Sequence, residues 1–338
     1  MKSNRKWLIT GGCGFIGTNL IERLRADGTS IRVLDNLSVG SRETLAAVSD
    51  FDEISPDSDW SPGVQLVVGD IREATGWAEA FEGVDVVVHL AASTGVPQSV
   101  EDPMHDCTSN VVGLLNVLEA ARNAKAGRFI FASSGAPAGE VEPPIHEEVV
   151  PRPVSPYGAS KLAGEAYCSA YARTFGLGTV ALRFGNVYGP RSGHKSSVVA
   201  KWVRLALEGS PIEIYGDGNA TRDFIFTSDL VEAIVRATDA EPGVVAGEVF
   251  QIATSRETTV GELAHVICDR LEAVGIPRPD VRFSAERLGD VPRNYSDTSK
   301  AKERLGWVPR MQLADGLDVV IDSLRSSIGV GSSHGVPE

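Results

Sequence analysis

The stretch TGGCGFIG, residues 10–17, decides the fold. It follows the apolar run KWLIT (6–10) and opens the amphipathic segment FIGTNLIERLRADG. Glycines at this spacing permit a sharp strand-to-helix turn, and the free N–H groups of a helix N-terminus attract a pyrophosphate. The stretch therefore predicts a dinucleotide-binding turn built on Gly11, Gly14 and Gly17, with Phe15 and Ile16 beginning the helix.

A carboxylate further along the chain supports this prediction. Asp35 ends the run IRVLD (31–35), 18 residues after Gly17, where it can accept both hydroxyls of a ribose. A carboxylate at this place repels a 2′-phosphate, so the sequence favours NAD over NADP. Arg32 and Arg42 lie nearby, and we interpret both as solvated surface charges.

Apolar runs alternate with amphipathic segments through the first half of the chain. The runs predicted as strands of a buried parallel sheet are KWLIT, IRVLD, VQLVV (64–68), VDVVVHL (84–90), RFIFA (128–132) and TVALR (179–183). Segments such as NVVGLLNVLEAARNA (110–124) predict helices between them. These βα units predict an α/β fold, a doubly wound parallel sheet (Rossmann-like) with a smaller mixed α/β substrate-binding domain.

The pattern changes after about residue 184, where Gly- and Pro-rich loops separate isolated helices. We expect an NAD-binding domain over 1–183 with a return segment at about 225–254, and a substrate-binding domain over 184–224 and 255–328. The acidic residues 43–62 are expected to form a surface excursion between the second and third strands, and 329–338 a disordered tail.

Composition narrows the possible partners and the compartment. The formal net charge of −13 makes nucleic-acid binding unlikely to be a function of this chain. The four cysteines are far apart without a CxxC pair, so we expect neither a disulfide framework nor a metal site, and we expect a cytoplasmic protein. No signal peptide and no apolar run long enough to span a membrane is recognised.

Two further stretches offer catalytic groups. ASSGAPAG (132–139) follows a predicted strand and offers the hydroxyls of Ser133 and Ser134 without any ionisable side chain. PYGASKLAG (156–164) places Tyr157 and Lys161 four residues apart, hence on one helix face. The ordinary pKa of a phenol, near 10, is high for a base, and an ammonium one turn away stabilises the phenolate. The spacing therefore predicts a tyrosine base with a lowered pKa.

Several motifs together resemble one family. TGGCGFIG, HLAAS (89–93), YGASK (157–161), RFGNVYGPR (183–191), YGDGNATRDF (215–224) and RLGDVPRNYSDTSKAKERLGW (287–307) resemble the extended short-chain dehydrogenase/reductase family of NAD-dependent nucleotide-sugar epimerases and dehydratases, in pattern most of all the UDP-hexose 4-epimerases. The resemblance runs from about residue 5 to 320. It implies that Tyr157 is the catalytic base, that Lys161 supports it and holds the nicotinamide ribose, and that Ser134 binds the reacting hydroxyl.

The resemblance also implies a cofactor site. Its residues are Gly11, Gly14, Phe15, Ile16, Gly17, Asp35, Asn36, Asp70, Ile71, Leu90, Ala91, Ala92, Tyr157 and Lys161. Asp70 and Ile71 are placed to meet the adenine, although an ordinary capping role for Asp70 remains an alternative. Asn110 matches a family asparagine of the same cleft, and it is equally well placed as a helix N-cap.

The loop without an acid favours one reaction of the family. Related 4,6-dehydratases carry an Asp-Glu pair after the loop hydroxyl, and related decarboxylases carry a Glu, whereas this chain has Gly135 and Ala136. A reaction whose only proton passes through Tyr157 is epimerisation at C4 through a transient 4-keto sugar. A dehydratase or UDP-glucuronate decarboxylase remains an alternative, as does a non-catalytic NAD-sensing protein. Pro137 and Ala138 replace the usual Val-Tyr of the family.

The substrate site is expected to bind a UDP-sugar. The matched positions are Arg222 and Arg287 for the diphosphate, Asp290 for the ribose, Asn186 and Val199 for further substrate contacts, and Tyr215 for stacking on uracil. Core packing of Tyr215 and an ion pair of Arg222 with Asp223 or Asp229 are the competing interpretations. Asn294, at a position that gates bulk at the sugar C2, leaves room for UDP-N-acetylglucosamine as well as UDP-glucose. His194 and Lys195 could reach the C6 carboxylate of UDP-glucuronate, although we interpret them as exposed loop charges.

The family usually forms homodimers through helices that follow the fourth and fifth strands. The helix carrying Tyr157 offers the apolar surface of Ala163, Ala166, Tyr167 and Tyr171 for such a contact. Burial of these residues within their own subunit is the alternative.

Overall fold

The computed structural model describes residues 5–193, 197–285 and 291–328. The strands are β1 (Lys6–Thr10), β2 (Ser30–Asp35), β3 (Phe51–Glu53), β4 (Val64–Val68), β5 (Val86–His89), β6 (Arg128–Ser134), β7 (Thr179–Phe184), β8 (Asn186–Tyr188), β9 (Ile212–Tyr215), β10 (Thr221–Arg222), β11 (Phe224–Phe226), β12 (Glu248–Ile252), β13 (Thr258–Thr259) and β14 (Val281–Ser284). The α-helices are α1 (Phe15–Arg25), α2 (Arg42–Ala46), α3 (Val96–Glu101), α4 (Pro103–Cys107), α5 (Gly113–Asn123), α6 (Pro156–Phe175), α7 (Val198–Leu207), α8 (Thr227–Asp239), α9 (Pro242–Val245), α10 (Val260–Ala273), α11 (Ser299–Leu305) and α12 (Leu313–Ile328). Short 3₁₀ turns form at Ala78–Phe81 and Ala136–Ala138, and a π-helical turn, Thr108–Val112, joins α4 to α5.

A parallel sheet with the strand order β12-β7-β6-β5-β1-β2-β4-β3 organises the molecule. The chain leaves β1 towards β2 and later returns to β5 on the other side of β1, so the strand order reverses between β1 and β5. Thr10 at the end of β1 pairs with Leu34 and with His89, which brings the carboxyl ends of three strands together at this point. Ligands of doubly wound sheets bind at such a switch point. The predicted fold class is confirmed.

Helices cover both faces of the sheet. Along β1, Trp7 and Ile9 pack towards α1 and α8, whereas Leu8 packs towards α5 and α6. This alternation explains why the central strands are continuous apolar runs in the sequence, since the side chains on both faces of the sheet are buried. The two faces thereby form two hydrophobic clusters on one sheet.

A third hydrophobic cluster lies outside the sheet. It is formed by α7, α10 and α12 together with β9 and β11, with Trp202, Ile267 and Val320 among its buried members. The domain boundaries given above stay predictions. Within the predicted return segment, β12 joins the sheet beside β7, and β11 pairs with β8. The predicted disordered tail lies outside the described residues.

Two sequence-based interpretations are wrong. Arg32 is not a solvated surface charge, because its guanidinium is buried, donates to the carbonyls of Ser58 and Ala80, and lies 4.3 Å from the Trp60 ring centroid. Residues 43–62 are not only an excursion, because β3 within them pairs with β4 and extends the sheet. Its sequence, FDE, lacks an apolar pattern because it is a short edge strand.

Among the described residues, no helix is both long enough and apolar enough to cross a membrane.

Candidate active site

The glycine-rich turn connects β1 to α1 directly beneath the switch point. Gly11 has φ +68°, and a Cβ on it would lie 2.7 Å from the backbone nitrogen of Ala91. Gly14 caps α1 without a side-chain hydrogen bond, so the first N–H groups of the helix are not satisfied by a cap. These features fit a pyrophosphate, because the backbone can approach it closely and the helix dipole attracts its charge.

Asp35 stands at the end of β2, beside this turn. Its carboxylate accepts hydrogen bonds from the backbone nitrogens of Cys13 at 2.9 Å and Leu37 at 2.8 Å. Burial raises the pKa of Asp35 and these two hydrogen bonds oppose the rise. Burial, followed by the charge of Asp35, also raises the pKa of the Cys13 thiol, which therefore stays neutral. A carboxylate has about four acceptor sites, so Asp35 retains capacity for ribose hydroxyls.

Asp70 follows β4 on the far side of the same opening. Hydrogen bonds from the Arg72 guanidinium hold the pKa of Asp70 well below its usual range, and the Asn36 amide donates to it at 3.0 Å. The Arg72 backbone nitrogen also donates to Asp70 at 2.9 Å, so a local capping role is present. Asp70 nevertheless faces the cavity, as Ile71 does.

A cavity of about 570 Å³ lies along the carboxyl ends of the central strands. All the residues predicted for the cofactor line it: Gly11, Gly14, Phe15, Ile16, Gly17, Asp35, Asn36, Asp70, Ile71, Leu90, Ala91, Ala92, Tyr157 and Lys161. Sequence reasoning missed other lining residues, among them Arg72, Gln98 and His105. Arg72 directly follows a predicted strand, so its position at the cavity could have been predicted. Gln98 and His105 lie on α3 and α4, and the pattern of apolar strands does not predict where these helices lie.

Helix α6 carries the tyrosine and the lysine into this cavity. Its N-cap is Ser155, whose hydroxyl accepts the backbone N–H of Gly158 at 3.1 Å and so fixes where the helix starts. The Lys161 ammonium is buried, donates to the carbonyl oxygen of Ala132 at 2.9 Å, and lies 5.9 Å from the centroid of the Tyr157 ring. Both side chains therefore face the end of β6.

The electrostatics of the pair differ from the expectation. Burial raises the pKa of the Tyr157 phenol, a hydrogen bond with Ser134 opposes this, and the negative charge of Asp106 adds to the rise. Burial lowers the pKa of Lys161 to about 8. The lowered phenol pKa predicted from the spacing is therefore wrong for the chain alone, because desolvation outweighs the favourable neighbours.

Three consecutive residues of β6 contact three residues of α6 that are spaced by four. Ala132 accepts from Lys161, the Ser133 hydroxyl donates to Glu165 at 2.6 Å, and the Ser134 hydroxyl interacts with the Tyr157 phenol and opposes the rise in its pKa. Glu165 also forms a buried ion pair with Arg183 at 2.7 Å, so the Ser133 hydroxyl is part of a buried polar network. Ser134 is the hydroxyl that meets the phenol.

The loop after β6 contains no acid or base next to Ser134. Gly135 leads into the 3₁₀ turn Ala136–Ala138, in which Pro137 and Ala138 are buried. A Cβ on Gly135 would lie 4.0 Å from both terminal atoms of the Asn294 amide, so the Asn294 side chain lies near this loop.

Asn110 lies in the π-helical turn and not at a helix N-terminus, so the N-cap interpretation is wrong. Its amide donates to the Ser93 carbonyl at 3.0 Å and to Asp106 at 2.9 Å, and its oxygen accepts the Ser93 backbone N–H at 2.8 Å. Asn110 thus holds the cavity-lining loop after β5 against α4. π-helical turns are often found at functional sites.

The remaining predicted substrate residues lie around the third cluster. Asn186 is exposed on β8, and Val199 is buried in α7, where its side chain packs in the core. Tyr215 is half-buried, with its hydroxyl donating to Glu213 at 2.7 Å and the Lys201 ammonium 5.9 Å from its ring centroid.

Arg222 donates to the carbonyls of Thr221 and Val291. The carboxylates of its suggested ion-pair partners are engaged elsewhere, Asp223 with Thr254 and Asp229 with the backbone of Arg310. The predicted residues Arg287 and Asp290, together with His194 and Lys195, lie outside the described residues.

The chain is similar to known proteins over nearly its whole length. The family model described as "NAD dependent epimerase/dehydratase family" matches residues 7–253. A UDP-glucose 4-epimerase of Mycolicibacterium smegmatis is 38% identical over 325 residues, which is 94% of this chain and 98% of that protein. The crystal structure of a Thermotoga maritima UDP-glucose 4-epimerase with UDP-glucose has a TM-score of 0.85 at 33% identity, covering 96% of this chain and 99% of that one. A Thermus thermophilus UDP-glucose 4-epimerase in complex with NAD has a TM-score of 0.83 at 34% identity, covering 95% and 99%.

Proposed function

The chain belongs to the NAD-dependent epimerase/dehydratase family, and on that premise we propose that it is an NAD-dependent UDP-sugar 4-epimerase acting through a transient 4-keto sugar. One observation carries the choice within the family. The loop after β6 brings the hydroxyl of Ser134 to the phenol of Tyr157, and the next two residues, Gly135 and Ala136, cannot move a proton. A reaction with one proton-transferring group fits this arrangement.

The cavity along the switch point fits NAD as the cofactor. All of the following residues line it. We propose that Gly11, Gly14 and Gly17 bind the pyrophosphate, that Asp35 binds the ribose of the adenosine half, and that Lys161 binds the ribose of the other half. When bound, NAD would supply a hydride acceptor at C4 of the sugar and later return the same hydride.

The chain's own residues then perform the proton transfer. Ser134 holds the O4 hydroxyl beside Tyr157, which removes its proton as the carbon is oxidised. Tyr157 returns the proton after the ketose has turned to present its other face. Lys161 stabilises the phenolate between these two steps. Because oxidation and reduction cancel, the cofactor is neither consumed nor exchanged during turnover.

A nucleotide diphosphate site extends from this centre towards the third cluster. Tyr215 is proposed to stack on uracil, Arg222 and Arg287 to bind the diphosphate, and Asp290 to bind the ribose. Asn294 lies near Gly135 of the loop after β6, and we propose that a side chain of this size leaves a sugar pocket that accepts UDP-glucose or UDP-N-acetylglucosamine. UDP-glucuronate is the third candidate.

A mass-balanced assay tests the proposal. Purified protein is incubated with UDP-glucose, UDP-N-acetylglucosamine and UDP-glucuronate, and the products are separated and weighed by mass spectrometry. We expect a C4 isomer of unchanged mass from at least one of them. Loss of water or of CO₂ would instead establish a dehydratase or a decarboxylase.

A second test separates catalysis from NAD sensing. Tyr157→Phe removes one oxygen from the phenol, and we expect kcat to fall by about 10²-fold or more while NAD stays bound. The exposed Tyr167 on the same helix provides the control, Tyr167→Phe, which should leave kcat unchanged. Equal turnover in wild type and Tyr157→Phe would remove the catalytic assignment.

We further propose a cytoplasmic homodimer that binds no nucleic acid. The four cysteines Cys13, Cys107, Cys168 and Cys268 are unpaired, as suits a reducing compartment. The net charge of −13 opposes nucleic-acid binding. Tyr167 and Phe175 expose apolar surface on α6, which supports a contact between subunits, whereas Tyr171 is buried within its own subunit.

A further inference from the structure

A carboxylate beside the catalytic pair is not used by the chemistry described so far. Asp106 lies on α4 and is 1% exposed. Its Oδ1 accepts a hydrogen bond from the Asn110 amide at 2.9 Å, and its Oδ2 is buried without a hydrogen-bond partner in the described part of the chain. A buried charge of this kind is costly unless an opposite charge lies near it.

The opposite charge is on α6, against which α4 packs. Lys161 presents a buried ammonium there, and the charge of Asp106 favours its protonated form against the burial that lowers its pKa to about 8. The same carboxylate raises the pKa of Tyr157. Asp106 is therefore coupled electrostatically to both members of the catalytic pair although it hydrogen-bonds neither.

The other charged or titratable groups on the elements around α4 and α6 do not provide a buried negative charge for Lys161. Glu165 and Arg183 pair with one another, and Glu119 pairs with Arg122. Burial lowers the pKa of His89 to about 3 and raises that of the Cys168 thiol, so both are neutral. The other exposed groups on these elements are Glu101, Asp102, His105, Cys107, Tyr167 and Arg173, and Arg128 is buried at the start of β6, where it donates to the carbonyl of Ala240.

We propose that Asp106 is a positioning residue, whose buried negative charge keeps the Lys161 ammonium charged and the Tyr157 phenol protonated in the resting enzyme. This inference rests on the proposed epimerase function for its kinetic part. Tyr157 can accept the O4 proton only in enzyme molecules whose phenol has already released its own proton to solvent, and the charge of Asp106 sets the pH at which that fraction grows. The carboxylate thus sets the pH range in which Tyr157 can act first as base and then as acid.

The first variant removes the charge of Asp106 and retains the shape of its side chain. Asp106→Asn is expected to move both limbs of the kcat–pH profile to lower pH, because Lys161 loses its proton earlier and Tyr157 ionises earlier. Activity above about pH 8 should fall about three-fold or more relative to activity at the optimum. Asp106→Ser, which removes the charge with a smaller side chain, is measured in parallel in case the Asn variant folds poorly. Glu101→Gln on the exposed part of α3 removes the same charge at the surface and should leave the profile in place.

A spectroscopic titration supplies a readout that needs no turnover. The ultraviolet difference between each protein and its Tyr157→Phe counterpart follows ionisation of this one phenol among six tyrosines. Ionisation should occur at lower pH in Asp106→Asn than in wild type. Folded variants with unchanged titration and unmoved limbs would overturn the inference. If no UDP-sugar is converted and the titration still shifts, the proposed function fails and the coupling stands.

Discussion

Two adjacent hydroxyls show how position assigns different tasks to the same residue type. Ser133 points to the interior and donates to Glu165, which is already paired with Arg183. Ser134, one residue later, points to the opposite side, as successive side chains of a strand do, and meets Tyr157. The sequence places both hydroxyls at the end of a strand. It does not show which of them hydrogen-bonds a buried side chain, and only the resemblance to the family pointed to Ser134 as the hydroxyl at the catalytic site.

Replacing Ser133 and Ser134 by alanine, one at a time, should have different effects on activity and on stability. Ser134→Ala should lower kcat about 10-fold to 100-fold with little change in the free energy of unfolding, because a partly exposed hydroxyl is removed. Ser133→Ala should cost about 1.5–3 kcal/mol of unfolding free energy, because a buried carboxylate loses a donor. Denaturant titration and steady-state kinetics measure the two effects. Equal losses of activity and stability in both variants would contradict the assignment.

His89 makes stability depend on pH. It is buried at the end of β5, hydrogen-bonded to the Thr10 hydroxyl at 2.8 Å, and its pKa is lowered by burial from 6.5 to about 3. Between these values the unfolded chain binds the proton and the folded chain does not, so this contribution to stability is complete above pH 6.5 and is lost as the pH falls. At pH 5 the loss is about 2 kcal/mol.

Urea unfolding of wild type and His89→Asn at pH 7 and pH 5 isolates this effect. The wild type should lose about 2 kcal/mol more than the variant on acidification, since asparagine can hydrogen-bond Thr10 without taking up a proton. Parallel losses in the two proteins would show that His89 is already protonated in the folded state.

At the scale of elements, the apolar strands could be predicted and the short polar ones could not. The strands β1, β2, β4, β5, β6 and β7 all coincide with apolar runs in the sequence. The strands β3 and β13 contain polar residues, and they form because a neighbouring strand is available to pair with them. The burial of Arg32 depends on contacts with Trp60 and Gln65, which lie far from it in the sequence. Such features depend on tertiary contacts that local periodicity does not encode.

The turn between β1 and α1 yields a prediction of its own. In Gly17→Ala the added Cβ would lie 2.5 Å from the Cα of Gly12, so the turn must shift. We expect NAD affinity, measured by calorimetry, to fall about 10-fold or more, since the phosphate approach depends on this backbone. Gly243→Ala in α9 makes the same change where no atom lies within 4 Å, and it should leave NAD affinity unchanged and stability equal or about 0.5 kcal/mol higher. Unchanged affinity in Gly17→Ala would show that the turn is not the cofactor site.

At the scale of the whole molecule, apolar side chains lie exposed on α3, α4 and α6. Val100, Met104, Tyr167 and Phe175 each expose more than a third of their surface. If these helices form the proposed dimer, Tyr167→Glu should convert a dimer to a monomer in sedimentation experiments, because burying the new charge is unfavourable. Phe283→Glu on β14 is the matched control and should leave the mass unchanged. A wild-type monomer would reject the homodimer directly.

The site could be predicted to the extent that it is built at strand ends. The carboxyl ends of parallel strands meet at one edge, so residues separated by more than a hundred positions, such as Gly11 and Tyr157, could be placed in one cavity from the sequence. The raised pKa of Tyr157 could not be predicted in the same way, because it depends on burial and on Asp106, which the spacing of Tyr157 and Lys161 does not reveal.

The pairing of β6 with α6 through Ala132, Ser133 and Ser134 has a consequence for how this chain can tolerate insertions. One extra residue between Tyr157 and Lys161 would rotate the rest of α6 by about 100° and withdraw both Lys161 and Glu165 from their partners in a single event. Length variants selected for function should therefore be absent from the first two turns of the helix.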